Sequence, residues 1–187
     1  MKNHDEYART IESERLSMRS LSKDDEAFYC SLYTDAQVMR FVGAPLSRDA
    51  ASEGFRASLE RMSQPPFERR VVVLLDRTTQ QPIGISSVRM LKNGRAEVGT
   101  LLKPGMHDKG FALECSTALI SQAFTRPAIQ ELVAYSVAGN TAVERLLQEL
   151  GFSRGALRPA DKGQPERTAW SITRDAWARR EASIAAK

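Results

Sequence analysis

The sequence predicts a single α/β domain of the α+β type, with a mixed and mostly antiparallel central sheet. Three strand-like segments follow one another between residues 71 and 102, as in an antiparallel meander. Helical and strand-like patterns then alternate up to residue 177, without a linker, a repeat or a low-complexity segment. The 187 residues are enough for one substantial core, and 42% hydrophobic with 27% charged residues is ordinary for a globular chain.

The first elements are a short strand and three helices. Residues 16–19 have the pattern of a strand. Helical patterns then cover residues 23–33, 35–41 and 47–62. Ser22 and Ser47 precede two of these helices, and serine accepts hydrogen bonds from the amides of a first helical turn, so we predict both as N-caps. The dipeptide Pro65-Pro66 ends this helical part of the chain.

The meander follows. Residues 71–75 are the apolar run of a buried strand, and residues 82–88 form the next strand. The third strand carries Glu97 and begins after the dipeptide Asn93-Gly94. Asparagine and glycine both tolerate the positive φ that a type I′ turn requires, so this dipeptide predicts a tight hairpin.

The last third of the chain predicts a strand, a helix and a final hairpin. Residues 131–137 have the composition of a strand. The helix that follows presents one apolar face, made of Val143, Leu146, Leu147 and Leu150. Gly151 ends this helix, and residues 168–173 form the last strand. Residues 174–187 are rich in alanine and basic, and we expect them to form a terminal helix or a frayed tail.

The segment that joins the third meander strand to the next helix predicts an anion site. Gly110 stands at the start of this helix, within the sequence His107-Asp108-Lys109-Gly110-Phe111-Ala112. Because glycine has no side chain, a phosphate can approach the backbone closely there. The free amides and the dipole of a helix N-terminus favour a negative charge by about 0.3–1 kcal/mol. We therefore interpret this segment as a pyrophosphate cradle.

The same segment resembles motif A of the GNAT superfamily, the acyl-CoA-dependent N-acetyltransferases. That motif reads Gln or Arg, two residues, Gly, one residue, then Gly or Ala. Here His107 replaces the Gln or Arg, and Asp108 stands where close relatives carry another glycine. Downstream, residues 140–152 are similar to the family's Asn-x-x-Ser…Leu-Gly-Phe element, with Val143 in the serine position. The resemblance covers about residues 14–177 and is nearest to the branch of ribosomal-protein N-terminal acetyltransferases.

The resemblance implies helices on both faces of the sheet and two neighbouring parallel strands that splay apart to bind acyl-CoA. The pantetheine arm of acetyl-CoA is then expected to pair with the exposed main chain of the strand before motif A. Asn140 is expected to hydrogen-bond the pantetheine; a plain helix N-cap is the alternative, and the two roles can coexist. The expected acetyl-CoA residues are Gly99, Thr100, Leu101, Leu102, His107, Asp108, Lys109, Gly110, Phe111, Ala112, Asn140 and Val143.

The resemblance also implies a general base. An amine must attack the thioester as the free base, and an α-amino group near pKa 8 is neutral about one time in ten at pH 7. A lysine near pKa 10.4 is neutral about once in a few thousand, so a base matters more for lysine. Glu97 is the expected base because it lies on the strand that leads to the cofactor. The alternative is a structural carboxylate paired with a cross-strand arginine such as Arg89 or Arg70.

A general acid for the departing thiolate is less clearly marked. Val143 stands in the usual serine position and cannot donate a proton. Tyr135 and Ser136, on the preceding strand, are the candidate acids, and strand alternation sends only one of them toward a given face. A CoA thiolate is also a tolerable leaving group without an acid, since thiol pKa values lie near 8.5. Glu114, in the first turn of the motif A helix, is expected to be structural.

Covalent, metal and redox chemistry have little support. Cys30 and Cys115 lie in helix-like apolar surroundings, and we expect both to be reduced core residues. His4 lies near the N-terminus, and His107 is either a phosphate ligand or an exposed loop residue. Two histidines make a nucleophilic triad or a histidine-rich metal site poorly supported, so we expect no metal and a direct transfer rather than an acyl-enzyme.

Charge and hydropathy narrow the partners and the compartment. The net charge of +4 is spread along the chain and alternates in sign, which favours a mildly basic surface over a nucleic-acid site. No apolar run approaches the ~20 residues of a membrane span, and the N-terminus lacks the apolar core of a signal peptide. We therefore expect a cytoplasmic protein without a membrane partner, either a monomer or a homodimer.

The acceptor site is expected in residues 35–56 and 155–167, which by resemblance face the splayed strands. Their acidic residues are Asp35, Asp49, Glu53, Asp161 and Glu166. Several arginines lie in the same segments, so neither a polyamine nor an acidic acceptor is excluded. Asp108 is favourable as an N-cap but repels a pyrophosphate, so we expect a modest affinity for the cofactor.

The sequence therefore predicts an acetyl-CoA-dependent N-acetyltransferase that acts on a primary amine by direct attack in a ternary complex. Peptide N-termini, amino acids and other small amines stay open as acceptors. Val143 and Asp108 suggest one alternative, a non-catalytic acyl-CoA-binding or sensing domain. An unrelated nucleotide-binding module with an accidental glycine match is the other. We expect residues 1–13 to be an N-terminal extension, residues 14–177 the acyltransferase domain and residues 178–187 a C-terminal tail.

Overall fold

The computed structural model describes residues 10–64, 68–160 and 165–186. Its strands are β1 (Ile11–Glu12), β2 (Leu16–Ser20), β3 (Arg69–Asp76), β4 (Pro82–Met90), β5 (Arg95–Leu102), β6 (Glu131–Val137), β7 (Ser153–Arg158) and β8 (Arg167–Thr173). They form one sheet in the order β1-β2-β3-β4-β5-β6-β8-β7. The pair of β5 and β6 is parallel and the other pairs are antiparallel, so the predicted mixed and mostly antiparallel sheet is confirmed.

The helices are α1 (Glu26–Thr34), α2 (Ala36–Met39), α3 (Arg48–Ser63), α4 (Phe111–Phe124), α5 (Thr141–Glu149) and α6 (Arg174–Ala185). A 3-10 turn, Lys23–Asp25, precedes α1. In the part of the chain that the structure describes, none of these helices has the length and apolar character that a membrane crossing requires.

Alternating side chains of the sheet divide the core into two sides. Ala96 and Leu102 of β5 pack with residues of α4 such as Ile120 and Cys115, and we call this the α4 side. Leu101 packs on the opposite side, which we call the α1–α3 side because its cluster contains Tyr29 of α1 and Phe55 of α3. Helices therefore cover both faces of the sheet, as predicted. Residues two apart on a strand share a side.

The Asn93-Gly94 hairpin joins β4 to β5 as the sequence predicts. Both residues have positive φ, 59° and 69°, and the amide of Leu91 donates to the carbonyl of Arg95 at 2.8 Å. The register that follows pairs Arg89 with Glu97 and Gly84 with Leu102. This hairpin therefore decides which side chains of β4 stand beside the candidate base.

Several elements differ from the predicted ones. The predicted helix over residues 23–33 is a 3-10 turn followed by α1, and α2 ends at Met39 instead of residue 41. Ser47 caps α3, with its hydroxyl accepting from the amide of Ala50 at 3.2 Å. Ser22 is the N-cap of the 3-10 turn, as predicted, and forms a capping box with Asp25, whose carboxylate accepts the amide and the hydroxyl of Ser22.

The expected domain limits do not coincide with the ends of elements. β1 pairs with β2 and lies before residue 14, although residues 1–13 were expected to be an extension. The limit at residue 177 falls within α6, whose Trp177 is only 2% exposed in the core. Residues 174–185 are thus a packed terminal helix rather than a frayed tail. His4, Pro65-Pro66 and Asp161 lie outside the described residues.

Candidate active site

The parallel strands β5 and β6 separate after three residue pairs. The paired residues run from Arg95 with Glu131 to Glu97 with Val133. Beyond Glu97, no strand of the described residues pairs with β5 on this side. β5 runs on for five residues to Leu102 while paired only with β4. At about 3.3 Å per residue, the free edge is roughly 15 Å long. We call the last pair, Glu97 with Val133, the fork vertex.

Backbone groups along this free edge need partners. Over residues 98–102, the amides and carbonyls that point away from β4 meet no strand on that side among the described residues. Unpaired backbone groups are costly unless water or a ligand satisfies them. The side chain of Thr100 does not occupy the fork, because its hydroxyl bonds Ser86 at 2.8 Å and lies 4.0 Å from the Cys115 sulfur on the α4 side. The fork therefore offers main chain to an extended ligand.

The predicted cradle lies at the open end of the fork. The loop over residues 103–110 connects β5 to α4, and His107, Asp108 and Lys109 are exposed in it. Gly110 is the N-cap of α4, with φ of 78°, and no side chain of the described residues caps this helix. The first-turn amides of α4 are thus available to an anion. In contrast, Asn140 caps α5.

Asp108 does not cap α4, contrary to our expectation. It lies two residues before the N-cap, in the left-handed region with φ of 59°. Glycine adopts this conformation without cost, and aspartate is one of the few other residues that tolerate it. The backbone thus explains why a glycine suits this position and why an aspartate can replace it. The carboxylate contributes charge to the loop rather than a cap to the helix.

A second cation stands beside the cradle, and the sequence gives no sign of it. The Arg15 guanidinium donates from Nη1 to the carbonyl of Lys109 at 2.9 Å and lies 4.6 Å from the centre of the Phe111 ring. A Cβ built on Gly110 would come within 3.2 Å of its Nη2. Arg15 therefore lines the cradle and offsets part of the negative charge of Asp108.

Glu114 holds Arg15 in this place. Its carboxylate accepts the Arg15 amide at 2.6 Å, the Arg15 Nε at 2.7 Å and the Ser13 hydroxyl at 2.8 Å. Burial raises the pKa of Glu114, but these hydrogen bonds and the charge of Arg15 outweigh burial, so its pKa lies below the ordinary 4.5. Glu114 thus has the structural role that the sequence suggested, as a clamp between the β1–β2 turn and α4.

Glu97 forms an ion pair across the sheet. Arg89 Nη2 lies 2.5 Å from Glu97 Oε2, and the two side chains are 51% and 27% exposed. Arg89, rather than Arg70, is the cross-strand partner that our alternative named. Arg70 pairs with Val88, whose side chain packs on the α4 side, so it lies on the other face of the sheet. Burial lowers the pKa of Arg70.

A small cavity lies beside Arg70, away from the fork. Its volume is about 30 Å³, enough for roughly two water molecules. The walls are Arg70, Val88, Met90, Leu119, Gln122, Ala123, Arg126 and Ile129. These residues surround the C-terminal half of α4, whereas the cradle uses its N-terminus. The cavity is therefore not part of the predicted cofactor path.

Tyr135 and Ser136 point to opposite sides, and the structure decides which. Ser136 is 1% exposed; its hydroxyl accepts the Trp170 indole N–H at 2.9 Å and donates to Glu144 at 3.3 Å. Tyr135 lies two residues beyond the fork vertex on the same side as Glu97, with the Arg167 guanidinium 4.1 Å from its ring centre. The position of Ser136 in the core argues against it as the acid, whereas Tyr135 lies on the face of the sheet that carries Glu97.

Asn140 has the capping role that was one of its two alternatives. Its Oδ1 accepts the amide of Val143 at 3.3 Å and so begins α5 next to the end of β6. Val143 packs against the α4-side core. The side-chain amide nitrogen of Asn140 takes no part in that bond, so capping and binding of a ligand at the fork are compatible.

The acidic residues expected at the acceptor site are mostly engaged or turned outward. Asp35 caps α2, its Oδ1 accepting the amides of Gln37 and Val38 at 2.7 and 3.0 Å. Asp49, Glu53 and Glu166 are exposed. Gly99, in contrast, has open space above its Cα on the side that Glu97 shares. The strand is therefore open on that side, next to the fork vertex.

Comparison with known proteins agrees with this geometry. The family profile described as "Acetyltransferase (GNAT) domain" matches residues 15–153. An uncharacterized N-acetyltransferase, p20, of Bacillus licheniformis is 27% identical over 159 residues, which cover 83% of this chain and 89% of that protein.

Solved structures share the fold. The ribosomal L7/L12 alpha-N-protein acetyltransferase RimL in complex with coenzyme A superposes with a TM-score of 0.77 at 14% identity, over 90% of this chain and 99% of that one. Spermidine N-acetyltransferase from Vibrio cholerae, in complex with CoA and spermine, gives a TM-score of 0.75 at 18% identity, over 89% and 99%. The family predicted from the two motifs is confirmed: the chain belongs to the acetyltransferase (GNAT) domain family and is an acetyltransferase.

Proposed function

We propose that this enzyme transfers the acetyl group of acetyl-CoA to the primary amine of a peptide N-terminus, an amino acid or another small amine, within a ternary complex. The separation of β5 from β6 carries the proposal. A free strand edge of about 15 Å leads from the uncapped end of α4 to the vertex beside Glu97. We also propose that the enzyme acts in the cytoplasm, a compartment that two unpaired cysteines suit.

The cofactor residues follow from that arrangement. The amides at the start of α4, with Gly110, Lys109 and Arg15, are suited to the pyrophosphate. The main chain of residues 99–102 is suited to the amides of pantetheine, and Asn140 lies across the fork from it. Acetyl-CoA supplies an activated acyl group and a good leaving group, which the fork holds near the vertex.

The reaction needs one proton removed and one accepted. The amine nitrogen attacks the acetyl carbonyl carbon; the new C–N bond replaces the C–S bond, and CoA leaves as the thiolate. Glu97 takes the proton of the amine, directly or through a water molecule, because its carboxylate stands at the vertex. Tyr135, on the same side across the fork, is suited to protonate the thiolate. The products are the N-acetylated amine and CoA.

A calorimetric titration with acetyl-CoA tests the cofactor site. Gly110→Glu places a carboxylate in the cradle and should abolish binding. Gly105→Glu is the matched control, because Gly105 lies in the same loop with φ of 79° and open space around its Cα. Both variants place a glutamate at a similar positive φ and so have similar backbone strain. Loss of binding in Gly110→Glu alone therefore supports the site. Equal loss in both, or in neither, contradicts it.

Thiol release with a panel of amines tests the reaction. Glu97→Gln keeps the hydrogen-bonding shape but removes the base, and should lower kcat at least tenfold while acetyl-CoA still binds. A variant that keeps the wild-type rate shows that Glu97 is only the ion-pair partner of Arg89. Acetyl-CoA binding without thiol release from any amine favours the non-catalytic alternative for this chain.

A further inference from the structure

A row of charged side chains crosses the sheet at the fork vertex. Arg69 of β3 pairs with Arg89 of β4, and Arg89 pairs with Glu97 of β5. Glu97 in turn pairs with Val133 of β6. Directly paired residues point to the same face, so the charged side chains share the α1–α3 side. The row therefore ends beside the open space over Gly99, where an acceptor can enter.

This row carries one more positive charge than negative charge. Arg89 and Glu97 neutralise each other at 2.5 Å. Arg69 contacts the hydroxyl of Tyr33, and burial, the largest cause, raises the pKa of Tyr33, so that this partner stays neutral. No carboxylate of the described residues forms an ion pair with Arg69, and its Nε is buried without a hydrogen-bond partner among them.

Two carboxylates, those of Glu131 and Asp35, are engaged by other groups. Glu131, on the same side of the sheet, pairs with Arg95 at 2.7 Å. Asp35 is occupied by the amides that begin α2. A guanidinium that is partly buried and not neutralised gains most from a carboxylate or a phosphate, which it can bind through two parallel hydrogen bonds.

The same cations favour the reactive form of the amine. A positive charge near a bound amine lowers the pKa of the amine, because it disfavours the ammonium form. An α-amino acid offers both groups at once: an amine, which suits Glu97, and a carboxylate, which suits a guanidinium. A polyamine, in contrast, brings further positive charge to a wall that already carries an excess of it.

We propose that the acceptor is an amine that also carries a carboxylate, as in an amino acid, and that Arg69 and Arg89 bind this carboxylate while the amine lies beside Glu97. This inference rests on the proposed function, because it names the substrate class of the same site. It assigns Arg69 and Arg89 as residues that determine specificity for the acceptor.

Matched pairs of amines test the acceptor class. Lysine and cadaverine differ only in the carboxylate, and so do alanine and ethylamine. Each is titrated calorimetrically into the protein saturated with CoA, so that binding is measured without turnover. We expect each carboxylated amine to bind at least tenfold more tightly than its decarboxylated counterpart. Equal binding within the pairs, or tighter binding of cadaverine, overturns the proposal.

Variants locate the carboxylate site. Arg69→Gln should bring the ratio of affinities within each pair close to one, and Arg89→Gln provides a second variant should the first lose its cooperative thermal transition. Arg179→Gln, on the exposed surface of α6, removes the same charge elsewhere and should keep the wild-type ratio. A ratio that is unchanged in both fork variants, or reduced equally in all three, overturns the assignment.

The two proposals fail in different measurements. Absence of thiol release from every amine contradicts the proposed transfer, whereas the ratios of binding affinity still test the carboxylate site. Thiol release from cadaverine and ethylamine at rates equal to those from lysine and alanine supports the transfer and contradicts the acceptor class.

Discussion

Glu114 accepts both the backbone amide and the guanidinium of Arg15, 99 residues away along the chain. The contact fastens the turn between β1 and β2 to the first turn of α4. Because Arg15 also bonds the carbonyl of Lys109, the clamp reaches into the loop of the cradle. The position of the proposed pyrophosphate cradle therefore depends on the N-terminal hairpin as well as on its own glycines.

Replacing Glu114 should weaken both the fold and the cofactor site. Glu114→Gln removes the negative charge that three donors share. A hydrogen bond to a charged group contributes about 1.5–3 kcal/mol to stability. We expect the free energy of unfolding to fall by about 1–2 kcal/mol and the acetyl-CoA Kd to rise several-fold. Urea unfolding and calorimetry measure these effects. Glu53→Gln, on the exposed face of α3, should change neither quantity.

The contribution of Glu114 should depend on pH with a definite sign. Its pKa in the folded protein lies below the ordinary 4.5, so the stabilisation is fully present above that value and is lost as the pH falls through the lowered pKa. The difference in unfolding free energy between wild type and Glu114→Gln should therefore be constant from pH 7 to about 5 and shrink below 4. A difference that grows on acidification would contradict the clamp.

Asp108 offers a separable test of charge and backbone. Asp108→Asn removes the charge and keeps a residue that tolerates φ of 59°, whereas Asp108→Gly removes the charge and the strain together. We expect both to tighten acetyl-CoA binding, with Asn giving most of the gain if repulsion of the phosphates dominates. Calorimetry measures both Kd values. Weaker binding by either variant would mean that the carboxylate assists the cradle.

Tyr135 and Ser136 should respond to mutation in different ways. Ser136→Ala leaves the Trp170 indole N–H buried without its acceptor, which costs about 1–3 kcal/mol of stability, and should leave kcat near the wild-type value. Tyr135→Phe should lower kcat and leave the thermal transition nearly unchanged. Steady-state kinetics and thermal unfolding separate the two effects. A loss of kcat in Ser136→Ala at temperatures well below its transition would restore Ser136 as the acid.

The two thiols should be inert in the folded enzyme. Burial raises the pKa of Cys115 to about 11 and also raises the pKa of Cys30, so that few thiolates form at pH 8. We expect a thiol reagent to modify neither cysteine in buffer and both in denaturant. Rapid alkylation of Cys115 in the native enzyme, located by peptide mass spectrometry, would contradict the packing of α4 on β5.

Strands, turns and helix ends that depend on neighbouring residues could be predicted from the sequence. The strand over residues 131–137 has the predicted bounds, and Asn93 and Gly94 both take the positive φ of the predicted turn. Gly151, with φ of 84°, ends α5 as predicted. In each case the residues that show the pattern also form the structure themselves, so the prediction needs no information about distant parts of the chain.

Contacts set by register could not be read from the sequence. Whether Arg89 or Arg70 meets Glu97 depends on how β3, β4 and β5 align, and one residue of slip exchanges the two faces. The same uncertainty covered the side that Tyr135 takes. The Arg15 clamp joins segments 99 residues apart, and β1 is only two residues long, so neither has a local pattern.

The turn at Gly94 has an influence far from its own position. Its carbonyl accepts the amides of Gln130 and Glu131, which sets the start of β6 level with the start of β5. A slip of two residues would keep every side chain on its face but bring Gly99 instead of Glu97 to the point of separation. It would also shorten the free edge from five residues to three. The hydrogen bonds of a single turn carbonyl thus help to set both the length of the free edge of β5 and the identity of the residue at the point of separation.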